Sequence, residues 1–359
     1  METAPPGPFS LRMDTQPMLR YLLPLLLLTA STGAAAASHA VAFMYHRFGE
    51  DRYPSTSIRL EQFDAQLDYL QQNGFQVWPL ERVIEHILRN EPLPERTIAI
   101  TVDDAYLSVY EHAWPRLKAR GWPFTVFVNT DPVDRRLGGF MSWEQMRTMQ
   151  QAGVRFANHT ASHDSLAARR ADEDEAAWER RVHADIGRAQ QRLHEELGAA
   201  VDQEPRLFAY PYGEYDTRAA DLVRRMGYIG FGQHSGAIGT LSDRRALPRY
   251  PMAEAFAAIE PFARKAASLP LPVAQATPWE PHITTNNPPP LTLTLQQPLR
   301  GVACYNAAGQ PLTLTWLDDT RLQVQAAERL PHGRSRYNCT APAGSGRWYW
   351  YSHPWLVDD

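Results

Sequence analysis

The chain of 359 residues has room for one large domain and a smaller one, and 44% hydrophobic with 21% charged side chains is ordinary globular composition. A formal net charge of -4 provides no bulk positive field, so neither a nucleic acid nor an anionic membrane surface is expected as a partner. Arg12 and Arg20 precede the short apolar run "YLLPLLLLTA" and the small-residue stretch "STGAAAASHA", which together predict a cleaved secretory signal over residues 1–38. The run is too short to span a bilayer, so the expected location is periplasmic or secreted, with no transmembrane anchor after cleavage. The extension ahead of Met13 reads as a candidate misassigned start and is left out of the fold.

From residue 39 to 268 the pattern alternates between strand and helix. "AVAFMY" reads as a strand, and Leu60, Phe63, Leu67 and Leu70 recur at helical spacing until Gly74. "TIAITVDD" is a strand, "VYEHAWPRLKAR" a helix ended by Gly121, and "PFTVFVNT" a strand again. Ser142 and Gln145 form a capping-box start for a helix that Gly153 terminates before the strand "VRFAN". A long polar helix, about Asp172 to Leu197, precedes the strand "RLFAY"; a helix over Thr217 to Met226 precedes the strand "YIGFG". Such alternation predicts an α/β domain with a parallel sheet or a β/α barrel, in which chemistry gathers at the C-terminal ends of strands.

The strand ends carry the informative residues. Asp103 and Asp104 close "TIAITVDD", His46 follows "AVAFMY", and His159 and His163 follow "VRFAN". An Asp-Asp pair alone reads first as a solvated turn, and a lone His-x-x-x-His as one face of a surface helix. At the rim of one sheet, Asp104, His159 and His163 make a carboxylate and two imidazoles suited to one divalent transition metal, with zinc, nickel, cobalt and iron all open. Adjacent carboxylates repel, and a cation would offset that repulsion.

"TVDDAY", "HTASH" and "YPYG", in this order, resemble the first three motifs of the polysaccharide deacetylases, carbohydrate esterase family 4. The resemblance covers about residues 40–251 and implies a distorted (β/α) barrel. It implies Asp103 as general base, Asp104, His159 and His163 as metal ligands, and the backbone N–H of Tyr212 as an oxyanion donor. Two departures stand out. The arginine that opens the third motif is replaced by Ala209, which leaves Arg249 of "LPRYP" to orient the base. No Leu-x-His strand follows "YIGFGQHSG", so His46 in "FMYHRF" is expected as the general acid of a permuted barrel, with His234 as the alternative. Tyr210 joins Arg249 and His234 as a further substrate-binding or base-orienting residue. The early Tyr-His strand and "FAYPYG" are most similar to the poly-β-1,6-N-acetylglucosamine N-deacetylases, which implies an N-acetylhexosamine polymer as substrate and a place in biofilm matrix chemistry. An O-acetyl esterase on xylan or another acetylated glycan remains open, as does a noncatalytic glycan-binding or export-assembly protein.

Beyond residue 268 the rhythm changes. Residues 269–290 are rich in proline and read as a linker, and residues 291–359 as a small β-sandwich of short strands. Cys304 and Cys339, the chain's two cysteines, are expected to pair in an oxidising compartment. Trp348, Tyr349, Trp350, Tyr351 and Trp355 suit either sugar stacking or strand packing.

Overall fold

Strand β1 (His39–Tyr45) and strand β2 (Thr97–Asp103) are buried at every position, as continuous apolar runs require when both faces of a sheet are covered. They pair in parallel in a computed structural model that describes residues 1–4, 7 and 36–358. The expected export signal lies almost wholly outside the described residues. Strands β3 (Thr125–Val128), β4 (Arg155–Asn158), β5 (Arg206–Ala209) and β6 (Tyr228–Phe231) continue the parallel sheet outward from β2. β7 (Ala237–Gly239) runs antiparallel along the other edge of β1, and β8 (Tyr250–Pro251) pairs with that same edge further along.

Residues 244–252 bring the two ends of this sheet together. Gly230 donates to the carbonyl of Arg244 at 2.9 Å, Leu247 to Gly230 at 2.7 Å and Gly232 to Leu247 at 2.9 Å, so the segment lines β6. Five residues later Met252 donates to Met44 on β1, at 2.8 Å. The sheet therefore curls into a distorted barrel, and the closing segment carries Arg249 through its seam.

The helices cover the outside as their patterns require. Leu60–Gln72 buries Phe63, Leu67 and Leu70. Glu175–Leu197 is capped by Asp174 and buries Trp178, Val182, Ile186, Leu193 and Leu197 along one stripe. The helix expected over "VYEHAWPRLKAR" begins as a wider π turn, Val109–Ala113, before the regular turns Trp114–Ala119. Pro115 has no N–H to give to the preceding turn, and the wider turn absorbs that gap. Among the described residues no helix is long and apolar enough to cross a membrane.

The stretch 269–290, expected as a linker, instead supplies strands β9 (Leu269–Pro270), β10 (Val273–Thr277) and β11 (His282–Ile283). Pro270 is tolerated because β9 is an edge strand, and the other prolines of the stretch lie outside its three strands. β12 (Leu291–Leu295), β13 (Ala303–Tyr305), β14 (Thr313–Trp316), β15 (Arg321–Gln325), β16 (Gly333–Gly344) and β17 (Arg347–Val357) follow. They form two sheets, β9-β17-β16-β13 with β11 on β17, and β10-β12-β15-β14. Leu291, Leu293, Leu322, Val324, Tyr337 and Cys339 share one apolar cluster between them. Cys304 and Cys339 stand opposite each other on β13 and β16 and are disulfide-bonded.

Candidate active site

The C-terminal rim of the barrel collects backbone that ordinary residues avoid. Asp104, Thr160, His163 and Tyr212 have φ of 58°, 64°, 66° and 59°, left-handed values that cost free energy for a residue with a Cβ. The turn after β4 is held by its own side chains. Asn158 Oδ1 accepts from the Thr160 N–H and Thr160 Oγ1 from the His163 N–H, each at 2.9 Å, while Asn158 Nδ2 donates to the Ile186 carbonyl on the long helix. This fixes both histidines of "HTASH" on the inward side of the rim.

His159 is fully buried, and its Nδ1 lies 2.7 Å from the carbonyl of Ala209. A carbonyl can only accept, so Nδ1 carries the proton and Nε2 presents a lone pair. That Nε2 stands 3.7 Å from Asp104 Oδ1, and His163 Nε2 stands 3.3 Å from the same oxygen. Burial pushes the His159 pKa down to about 4, with His163 adding to it and Asp103 opposing. Burial and the charge of His46 push His163 down to about 4, again against Asp103. Both imidazoles are therefore neutral at pH 7, the form in which they bind metals. Asp104 Oδ1 and His159 Nε2 are buried with no hydrogen-bond partner among the described residues. Orphaned acceptors in this position are costly unless a cation takes them. The three ligand atoms lie within 4.8 Å of one another, and one carboxylate with two imidazoles fits a divalent transition metal.

Asp103 points elsewhere. Arg249 Nη1 donates to one of its oxygens at 2.6 Å and Nη2 to the other at 2.7 Å, with both side chains fully buried. Arg249 also reaches the Gly232 carbonyl and Thr101 Oγ1. Burial would raise the Asp103 pKa, but Arg249, then His159 and His46, outweigh it and hold the carboxyl below its ordinary value. The two adjacent aspartates thus have separate partners, one an arginine and the other a pair of imidazoles. Ala209 cannot supply the guanidinium expected from the third motif; its carbonyl orients His159, and Arg249 approaches Asp103 from the closing segment.

His46 follows β1 and lines a cavity of about 600 Å³ together with Asp104, His163 and Tyr212. The Tyr212 ring meets His163 edge-on at 4.5 Å between centroids. Gly213 beside it has φ 71°, and a Cβ there would lie 2.6 Å from that of Gln233, so only glycine fits the turn. His234 lines the same cavity, buried, with its pKa pushed down to about 4 by burial, Arg249 and Arg336. Tyr210 does not belong to the cavity, contrary to expectation. It is fully buried among Phe208 and Tyr215, and its hydroxyl donates to the Arg245 carbonyl at 2.6 Å, which makes it a packing residue.

Two groups of wall residues went unnoticed in the sequence. Tyr106, two residues beyond Asp104, lies under Arg47 with 3.4 Å from guanidinium carbon to ring centre. Arg334 and Arg336 reach the same cavity from β16, beside Trp355 of the aromatic run that the sequence had already marked on β17. Only the alternation of polar and apolar residues along "GRSRYNC" hinted that the two arginines share a face.

A β/α barrel with a buried Asp-His-His constellation at its C-terminal rim, beside a second carboxylate gripped by arginine, has the donor set for a divalent metal. The sequence pattern of the family described as Polysaccharide deacetylase matches residues 90–230. The structure of IcaB from Ammonifex degensii is 30% identical, covers 64% of this chain and 97% of its own, and superposes with a TM-score of 0.54. This chain belongs to the polysaccharide deacetylase family. The deacetylase PplD of Streptococcus pyogenes, solved in complex with acetate, shares the fold at 20% identity, with a TM-score of 0.56 over 65% of this chain and 99% of that one. The poly-β-1,6-N-acetyl-D-glucosamine N-deacetylase of Escherichia coli K12 is 25% identical over 228 residues, which are 54% of this chain. The chain spans about a third, 33%, of that relative's length. The protein of the same name from Staphylococcus aureus MRSA252 is 22% identical over 212 residues, 58% of this chain and 71% of that one.

Proposed function

We propose that this chain is a metal-dependent N-deacetylase acting on an N-acetylhexosamine polymer of the poly-N-acetylglucosamine type, outside the cytoplasm. The observation that carries this reading is the division of labour between neighbours, with Asp104 in a ligand set and Asp103 ionised, buried and oriented by Arg249. Metal or sugar binding alone would not require the second carboxylate. A divalent ion on Asp104, His159 and His163 would polarise the amide carbonyl and make water a better nucleophile. Asp103 takes a proton from the attacking water, and its lowered pKa keeps it ready to do so at neutral pH. His46 delivers a proton to the departing amine, and the Tyr212 N–H steadies the negative charge on the former carbonyl oxygen.

Further features support the setting. The disulfide between Cys304 and Cys339 suits an oxidising compartment, and the named relatives act on poly-N-acetylglucosamine, a substrate met outside the cytoplasm. We read the barrel as permuted, with β1 filling the place of a closing strand and bringing His46 to the rim. The C-terminal region reads as a small β-sandwich module resting on the barrel. Acetate release across a panel of acetylated glycans tests the reading. Release from N-acetylglucosamine oligomers with a divalent metal is expected, and release from O-acetylated xylan alone would replace it with an esterase.

A further inference from the structure

β16 crosses the side of the catalytic cavity and places Arg334, Ser335 and Arg336 in its lining. Arg334 is committed, because its Nη1 donates to the Tyr212 carbonyl at 2.9 Å and its Nε lies 3.7 Å from Glu214. Arg336 is different. It is half-buried, and among the described residues it has no carboxylate or hydrogen-bond partner; the charge that acts on it is Arg334, another cation. The acids in the cavity lining are Asp104, which belongs to the ligand set, and Glu214, which faces Arg334. One wall of the cavity therefore carries an uncompensated positive charge. Lys265 lies close enough to feel Arg336 and adds a further cation rather than a counterion.

The reaction proposed above changes the charge of its own substrate. The amide C–N bond breaks, the water oxygen joins the acetyl carbon to give acetate, and both water protons end on nitrogen as a sugar ammonium. A neutral polymer thus becomes a polycation one residue at a time. A segment carrying an ammonium beside Arg336 meets a like charge in a partly desolvated cavity, whereas an acetylated segment does not. We propose that Arg336, backed by Arg334, is a specificity residue that selects against polymer segments already deacetylated near the reacting sugar, so that successive deacetylations are spaced along the chain. The inference rests on the N-deacetylase reading and adds to it a preference between two forms of the same polymer.

The test uses the full chain with its divalent metal and two N-acetylglucosamine oligomers of equal length, one fully acetylated and one containing a single internal glucosamine. At low salt the wild type should disfavour the glucosamine oligomer by about 3- to 10-fold in kcat/KM, and high salt should shrink that ratio. R336Q should bring the ratio near one, while R336K, which keeps the charge, should preserve it. Equal kcat/KM for both oligomers in the wild type would overturn the inference and leave the N-deacetylase reading standing. So would an R336Q protein that loses both rates by the same factor. Acetate released from neither oligomer would overturn the underlying reading, and the inference with it. The salt dependence of the wild type needs no variant, so a misfolded R336Q does not shield the proposal.

Discussion

Arg249 grips Asp103 through both arms of its guanidinium, at 2.6 and 2.7 Å, with neither side chain reaching solvent. A buried pair of this kind is costly to break from one side, because the survivor is left charged and unpaired. Arg249→Met is expected to lose about 3–5 kcal/mol of unfolding free energy in denaturant titrations. Arg249→Lys keeps the charge but not the two-pronged fork, so Asp103 turns within its site. Its kcat should fall by about 10- to 100-fold with a much smaller stability loss. An Arg249→Lys enzyme with wild-type turnover would remove Arg249 from the positioning of the base.

How much of this was legible in the chain depends on the distance over which each feature acts. The Asp103–Asp104 doublet, the two histidines of "HTASH" and the helix cap at Ser142 are local patterns, and each could be read in a window of a few residues. Arg249 was reachable too, because Ala209 left an orienting role vacant and "LPRYP" offered an arginine beyond the strand "YIGFG". Tyr210 misled because it stands inside a motif, and nothing local told its buried hydroxyl apart from one in a cavity. The strands within residues 269–290 were hidden because prolines mark an edge strand and a linker in the same way. Arg334 and Arg336 lie more than a hundred residues beyond the last motif, and only the packing of β16 against the rim brings them to the cavity.

The unsatisfied Asp104 Oδ1 and His159 Nε2 lead to a metal prediction that does not depend on activity. The protein should bind one divalent ion per chain. His159→Ala or His163→Ala should weaken binding by more than about 100-fold, since outer-shell changes alone cost about 10- to 100-fold. Elemental analysis after dialysis measures the stoichiometry. Full metal retention by the double variant would sink the ligand assignment.

The disulfide joins facing positions of neighbouring strands and encloses a sequence separation of 35 residues. Restricting the unfolded chain by a loop of that size contributes about 4 kcal/mol. Cys304→Ala with Cys339→Ala should lower the unfolding free energy by about that amount. Deacetylase turnover at 25 °C should change far less, because neither cysteine lines the catalytic cavity. An equal midpoint for the variant and the oxidised wild type would show that the link adds no stability.

Three buried histidines outside the metal set, His39, His353 and the His234 described above, predict a loss of stability in acid. Burial and the nearby Arg347 push His39 down to about 4, with Glu95 opposing, and Arg347 donates to His39 Nε2 at 3.0 Å, which requires a neutral ring. Burial and His234 push His353 down to about 3. Unfolded histidine titrates near about 6.5, so as pH falls below that value the unfolded chain takes up protons that the folded chain refuses. Stability contributed by the neutral rings is complete above about pH 6.5 and is lost on the way down to the folded values, at up to about 1.4 kcal/mol per pH unit for each group. Urea titrations at pH 7 and pH 5 should show this fall, and His353→Gln should reduce it by about 2 kcal/mol. An unchanged pH dependence in that variant would mean that His353 is protonated in the folded protein.

The roles proposed for Asp103 and His46 separate when the leaving group is varied. Asp103→Asn is nearly isosteric, should keep the metal, and should lose about 100- to 10,000-fold in turnover because an amide cannot accept the water's proton. That loss should appear on every substrate, since every one needs an activated water. His46 acts at the other end of the reaction. An N-acetyl sugar expels an amine that cannot leave without a proton, whereas an aryl acetate expels a stable phenolate that hardly needs one. His46→Ala should therefore be severely impaired on N-acetylglucosamine oligomers and only mildly on an aryl acetate. His234 lines the same cavity, so it provides the internal control. Should His234→Ala give that differential pattern while His46→Ala stays near wild type, the acid is delivered from beyond β6 and not from the end of β1.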